Sequence, residues 1–178
     1  MKSMVTMLLL CGLRMGAQDM QSCPMHQEHV KAASQRQAEV EKHGDEAMGF
    51  PHDQTTHHFR LYADGGAIEV TANDSSDSQN RMAIRSHLKH ITVMFAEGNF
   101  SIPMLVHDQV PPGVAVMKEK RGAITYTFEE LPAGGTVLIS TKNPEALKAV
   151  QEFLKFQIED HGTGDSTVVG ARSPKPTN

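Results

Sequence analysis

The chain has 178 residues, a net charge of −4 from 17 Lys and Arg against 21 Asp and Glu, no tryptophan and only 5% aromatic residues. That length suits one domain with appendages, and the mild acidity leaves no basic footprint for nucleic acid. The core must rest on Val, Ile, Leu, Met and a few Phe, while 11 Met and 10 His stand out as over-supplied.

Residues 1 to 17 read as a secretory signal: Lys2 supplies the positive start, Val5 to Leu13 an apolar run and Gly16-Ala17 a small-residue exit. The run is too short to span a membrane. Soluble export to the periplasm or beyond is therefore expected, and the bulky Leu10 before Cys11 argues against a lipid anchor. Once Cys11 leaves with the signal, Cys23 is the single thiol. It is then a metal ligand, an intermolecular bridge or incidental.

Residues 18 to 54 form a leader followed by a His/Met-rich loop. Gln27 to Lys42 predicts an exposed helix or spacer, because its apolar residues are few, with Gly44 ending it. His43, His52, His57, His58 and Met48 then crowd a stretch broken by Gly49 and Pro51, which reads as a loop over the start of the first strand. In that strand His57, Phe59 and Leu61 share one face, and His58, Arg60 and Tyr62 the other.

An internal repeat organises residues 55 to 161. Phe59 falls on Phe128, Gly65-Gly66 on Gly134-Gly135, and Ile68, Val70 and Ala72 on Val137, Ile139 and Thr141. His87-Leu88-Lys89-His90 falls on Phe153-Leu154-Lys155-Phe156. Each copy reads strand, Gly-Gly hairpin, strand, helix. The expected fold is α+β, a two-layer sandwich with an antiparallel sheet and both helices on one face.

Between the copies, Asp74, Ser75 or Ser76 can cap the first helix, which ends near Gly98. Phe100 to Asp108 reads as extended, and Val114 to Lys118 as a strand pairing with Ala123 to Glu130. Asn143 caps the last helix with Pro144 at its first position. Residues 162 to 178 read as a disordered tail.

The candidate site follows from the repeat. Phe153 and Phe156 should face the sheet, so His87 and His90 should point inward beside His57, with Met94 one turn further along the same helix. His52 or Met48 from the loop can complete a soft metal site. Imidazole with thioether suits copper, whereas His57, His87, His90 and a carboxylate would suit zinc.

Cys23-Pro24-Met25-His26 resembles the C-P-M-H segments that precede copper-exporting ATPases and metal-efflux adaptor proteins, with Gln27 where a proline usually follows. The resemblance covers four residues and implies a second donor set, Cys23, Met25 and His26. From Gly44 to Asp165 the chain also resembles a family of small exported bacterial proteins. It does so through Met48-Gly49-Phe50 with His52, Thr56-His57-His58-Phe59, Val110-Pro111-Pro112-Gly113 and Phe156-Gln157-Ile158. Some members carry an aspartate carbamoyltransferase label, but that enzyme's carbamoyl phosphate loop and its His-Pro-x-Gln segment are absent here.

Three functions compete. The first is an exported metal-binding protein, copper ahead of zinc. The second is an enzyme in which a three-histidine metal activates water. The third is an interaction or sensor domain with pH-responsive histidines and no metal. No nucleophile motif, phosphate loop or dinucleotide fingerprint is present, and the residues specify no protein partner.

Overall fold

The computed structural model describes residues 24 to 172. They divide into two units, one ending at Ser34 and the other beginning at Gln35. Helix α1, Pro24–Met48, crosses that boundary. The expected signal segment and Cys23 lie outside the described residues, as do the side chains of Met25 and His26.

The larger unit is the expected α+β sandwich. Strands β1 (Thr55–Tyr62), β2 (Gly65–Ala72), β3 (Ile124–Leu131) and β4 (Gly134–Thr141) form one antiparallel sheet in the order β1-β2-β4-β3. Helices α2 (Ser78–Ala96) and α5 (Pro144–His161) cover one face. Phe95 of α2 meets Phe153 of α5 with ring centres 5.9 Å apart, so a single core serves both copies.

Register makes the repeat physical. Across the β2–β4 seam Ile68 pairs with Val137, its own counterpart, while Gly66 pairs with Ile139 and Val70 with Gly135. That pattern is a pseudo-two-fold axis between Ile68 and Val137. Each helix reaches over it: α2 packs mainly on β4 and β3, and α5 has β1 as its main strand contact.

The helix starts follow capping chemistry. Asn143 accepts from the backbone N–H groups of Glu145 and Ala146 at 3.0 Å, as expected. In α2 the cap is Asp77, one residue beyond the expected candidates, accepting from Asn80 N at 2.9 Å. Asp74 instead accepts from the N–H and hydroxyl of Ser76 within the loop.

Two expected extended segments are helices. Ser101–His107 is α3, burying Pro103, Val106 and His107, with Phe100 buried just before it. That three-to-four spacing is helical, and Pro103 lies in the first turn, where its missing N–H costs nothing. Val114–Glu119 is α4. Val114 and Met117, one turn apart, bury against α5, and this packing overrides the weak helix propensity of valine.

The leader and the tail also depart from expectation. From Gln35 onward α1 packs on the domain: Val40 is 1% exposed, and Arg36 donates to both carboxylate oxygens of Asp160 at 3.2 and 3.0 Å. Gln37 donates to the His161 carbonyl at 3.2 Å. Val40, Gly44 and Met48 at four-residue spacing make a narrow stripe, which carries the helix through Gly44 to Met48, so much of the expected loop is helical.

Residues 162 to 172 run along β1 instead of trailing away. Asp165 accepts from Phe59 N, His58 Nδ1, Arg60 Nη1 and Thr163 Oγ1 at 2.8 to 2.9 Å. Gly170 N donates to Leu61 O at 2.9 Å, which covers part of an otherwise open sheet edge. Burial opposes ionisation of Asp165, but its hydrogen bonds from Phe59 N, Thr163 and His58 hold its carboxyl below the usual range. Asp165→Ala should cost about 2 to 3 kcal/mol, since it strands several donors at once. It should also open the tail to protease. Unchanged stability and proteolysis would show that the tail is not anchored by this carboxylate.

Candidate functional site

Beneath the helices the packing leaves a cavity of about 60 Å³. Strand alternation brings His57 and Phe59 to it from β1, while α2 contributes His87, Leu88 and Ile91. Gln157 and His161 come from α5, His107 from α3 and Met48 from the end of α1. Most of the wall is apolar, and no carboxylate, lysine or arginine is among its lining residues.

The rings are ordered around this space. His57 and His161 lie nearly parallel, their centres 6.0 Å apart and their planes within 7°. Phe50, just beyond α1, lies 6.2 Å from His57 and edge-on to His87 at 5.7 Å. His161 meets Phe59 at 5.4 Å and His107 at 5.0 Å.

Burial makes these imidazoles weak bases. It pushes His57 and His87 down to about 4 and His161 to about 3, and neighbouring histidines add to each shift. All three are thus uncharged at neutral pH, the form that donates a lone pair to a metal. His57 Nε2 is buried without a hydrogen-bond partner, and so is Gln157 Nε2. Buried polar atoms of that kind are rare in a finished core.

His107 differs, because both of its ring nitrogens are engaged. Its Nδ1 donates to Asp160 Oδ2 at 2.5 Å, and its Nε2 lies 2.9 Å from Gln157 Oε1. Arg36 closes the arrangement by donating to the His107 carbonyl at 2.6 Å. Asp160 stays acidic despite burial, because Arg36 and His107 both hydrogen-bond to it.

Of the sequence-predicted residues, His57, His87 and Met48 share the cavity. His90 is exposed, on the flank of α2 away from the buried stripe of Ile84, Leu88, Ile91 and Phe95. Met94 is buried in the core outside the lining. His52 lies in an adjoining cleft that shares Met48, His57 and His161 with the cavity. There it contacts Asp45 at 3.0 Å and Glu41 at 3.4 Å, and its hydrogen bond to Asp45 raises its pKa.

His161, His107 and Gln157 were not among the candidates. A signal for two of them was available: extending the helix alignment sets Gln157 on Ile91 and His161 on Phe95, polar residues where the other copy is apolar. His57 likewise falls on Tyr126. The polar substitutions collect at one end of the pseudo-symmetric core.

Among the described residues, no group of three or more His, Cys, Asp or Glu side chains stands already arranged to hold a metal ion. None of the described helices is long and apolar enough to cross a membrane. Comparison with family models, with curated proteins and with solved structures finds no match.

Proposed function

We propose that this protein is an exported metal-binding module that holds one transition-metal ion, copper ahead of zinc, in the histidine-lined cavity. The donors are His57, His87 and His161 with Met48. The observation that carries the reading is the buried, unpartnered Nε2 of His57 in a cavity shared with two further uncharged imidazoles and a thioether.

Size favours an ion over an organic ligand. Sites for drug-sized molecules run to roughly 300 to 1,000 Å³, and the space here is about 60 Å³. Binding must draw donors together, since among the described residues no three His, Cys, Asp or Glu side chains are already placed to hold an ion.

The test is metal titration of the untagged chain and its variants. One equivalent of copper should bind, and His57→Ala should weaken it by at least about a hundredfold, the scale expected for losing a ligand from a small donor set. His90→Ala should change nothing. Undiminished binding in His57→Ala together with loss in Cys23→Ser would move the site to Cys23, Met25 and His26.

A further inference from the structure

We propose that the outer edge of β3 is a docking site for an extended, basic segment of a partner protein, which adds to the four-stranded sheet as a further strand. The surface is separate from the histidine-lined cavity, and the proposal does not depend on the metal reading.

The first argument is the backbone. The strand order β1-β2-β4-β3 makes β1 and β3 the two edges of the sheet. Thr141 N, on the residue opposite Ile124, donates away from β3 to Asp64 O at 2.9 Å, so that pair exchanges no ladder bonds. Alternation then turns the N–H and C=O groups of Tyr126, Phe128 and Glu130 outward as well. Among the described residues, none of these groups has a hydrogen-bond partner. On β1 the equivalent groups are covered: Phe59 N, the counterpart of Phe128 N, donates to Asp165, and Leu61 O, the counterpart of Glu130 O, accepts from Gly170 N. One copy of this edge thus already takes an extended segment, from the chain's own tail. The other presents the same order of donors and acceptors without one.

The second argument is charge. The repeat sets Thr127 on His58 and Glu129 on Arg60, the two side chains that hold the Asp165 carboxylate against β1. An acidic segment such as the tail therefore suits the first edge and not the second. Across the strands, Glu129 pairs with Thr136 and Thr136 with Glu69, which sets two carboxylates in one row on the face away from the helices. A segment that brings Lys or Arg to that face complements them. On the helix side, Glu130 is already met by Arg85 at 3.0 Å and Lys89 at 3.4 Å, and Lys89 also lies 5.1 Å over the half-buried Phe128 ring. That side suits apolar residues, so the matching strand alternates apolar with basic.

Charge also decides against a second copy as the occupant. Its β3 would bring another Glu129 and Glu130 to the same edge, its tail would bring Asp165, and each copy carries a net charge of −4. Like charges across a strand pair are unfavourable.

The experiment uses the full chain and fluorescence anisotropy. The probes are blocked peptides in which valine alternates with arginine or with glutamate, and the arginine peptide N-methylated throughout, which removes its backbone donors. The arginine peptide should bind at least about tenfold more tightly than either of the others. The amide NMR signals of Tyr126, Phe128 and Glu130 should shift on its addition, while those of Phe59 and Leu61 stay in place. Glu129→Arg should turn the preference toward the glutamate peptide with an unaltered circular dichroism spectrum. Equal binding of the N-methylated peptide would reduce the effect to attraction by an acidic surface and overturn strand addition. Failure of every peptide, or shifts confined to β1, would overturn the site. A parent chain that dimerises through β3 in sedimentation without peptide would overturn the choice of partner.

Discussion

Lowering the pH from 6.5 to 4 should strip the domain of several kcal/mol of stability, with the half-buried histidines His57, His87 and His161 as the cause. In the unfolded chain each imidazole takes up its proton near 6.5, whereas in the fold burial holds His57 and His87 down to about 4 and His161 to about 3. Across that window the unfolded state binds more protons, so the stability present above pH 6.5 falls as acid is added. One pKa unit corresponds to about 1.4 kcal/mol, which makes each of these histidines worth about 3 kcal/mol or more by the bottom of the window.

Other groups do not imitate the effect. Asp160 and Asp165 have carboxyls below the usual 3.8, so the stability they contribute is lost only at lower pH. His52 has the opposite sign: its raised pKa adds stability below 6.5, and its exposure keeps that contribution small. Urea unfolding at pH 7, 5.5 and 4.5 measures the slope. His161→Phe, which installs the residue found at the matching position of α2, should flatten the slope and raise stability at pH 4.5. A midpoint unchanged from pH 7 to 4.5 would mean the imidazoles are not held uncharged by burial. Because protons and metal compete for the same lone pairs, a bound ion should keep its ligands unprotonated to lower pH and so steepen the slope.

The site was half legible for a definite reason. Strand alternation and the repeat both act through local periodicity, and they located His57 and His87. His90 was misplaced because its counterpart Phe156 is itself only half-buried, so the inference was weakest there. The helix alignment ends at His90 and Phe156, one residue short of Gln157 and five short of His161. His107 depended on α3, whose buried positions carry helical spacing under a composition that reads as extended.

Elsewhere the missing information was tertiary. Val40 is one of the few apolar residues in a polar helix, and its burial depends on the tertiary packing of that helix. Asp165 sits in a Ser/Thr/Gly tail whose composition argues for disorder, yet one carboxylate collecting donors from β1 anchors the segment. Composition averages over a segment and is blind to a single well-placed acceptor.

Replacing either hinge of the pseudo-two-fold, Gly65→Ala or Gly134→Ala, should cost more than about 3 kcal/mol, a loss reserved for backbone strain or severe core disruption. A Cβ on Gly65 would lie 2.0 Å from the carbonyl oxygen of Ile139, and one on Gly134 would lie 2.0 Å from that of Val70. Ile139 and Val70 are themselves counterparts in the repeat, so the two clashes are one clash seen from both copies. Neither neighbour can rotate aside, because the obstructing atoms are backbone in the β2–β4 seam. Gly65 carries the additional strain of a φ of +150°, a conformation that alanine rarely adopts. Gly122→Ala is the control, with nothing within 4 Å of its Cβ and an expected change within about 0.5 kcal/mol. Urea unfolding of the three variants decides the matter. If Gly65→Ala or Gly134→Ala came within about 1 kcal/mol of the parent, the seam would not be packed as tightly as this register requires. Similar losses at both positions would mean that the seam is tight in both copies, as the paired Gly-Gly motifs imply.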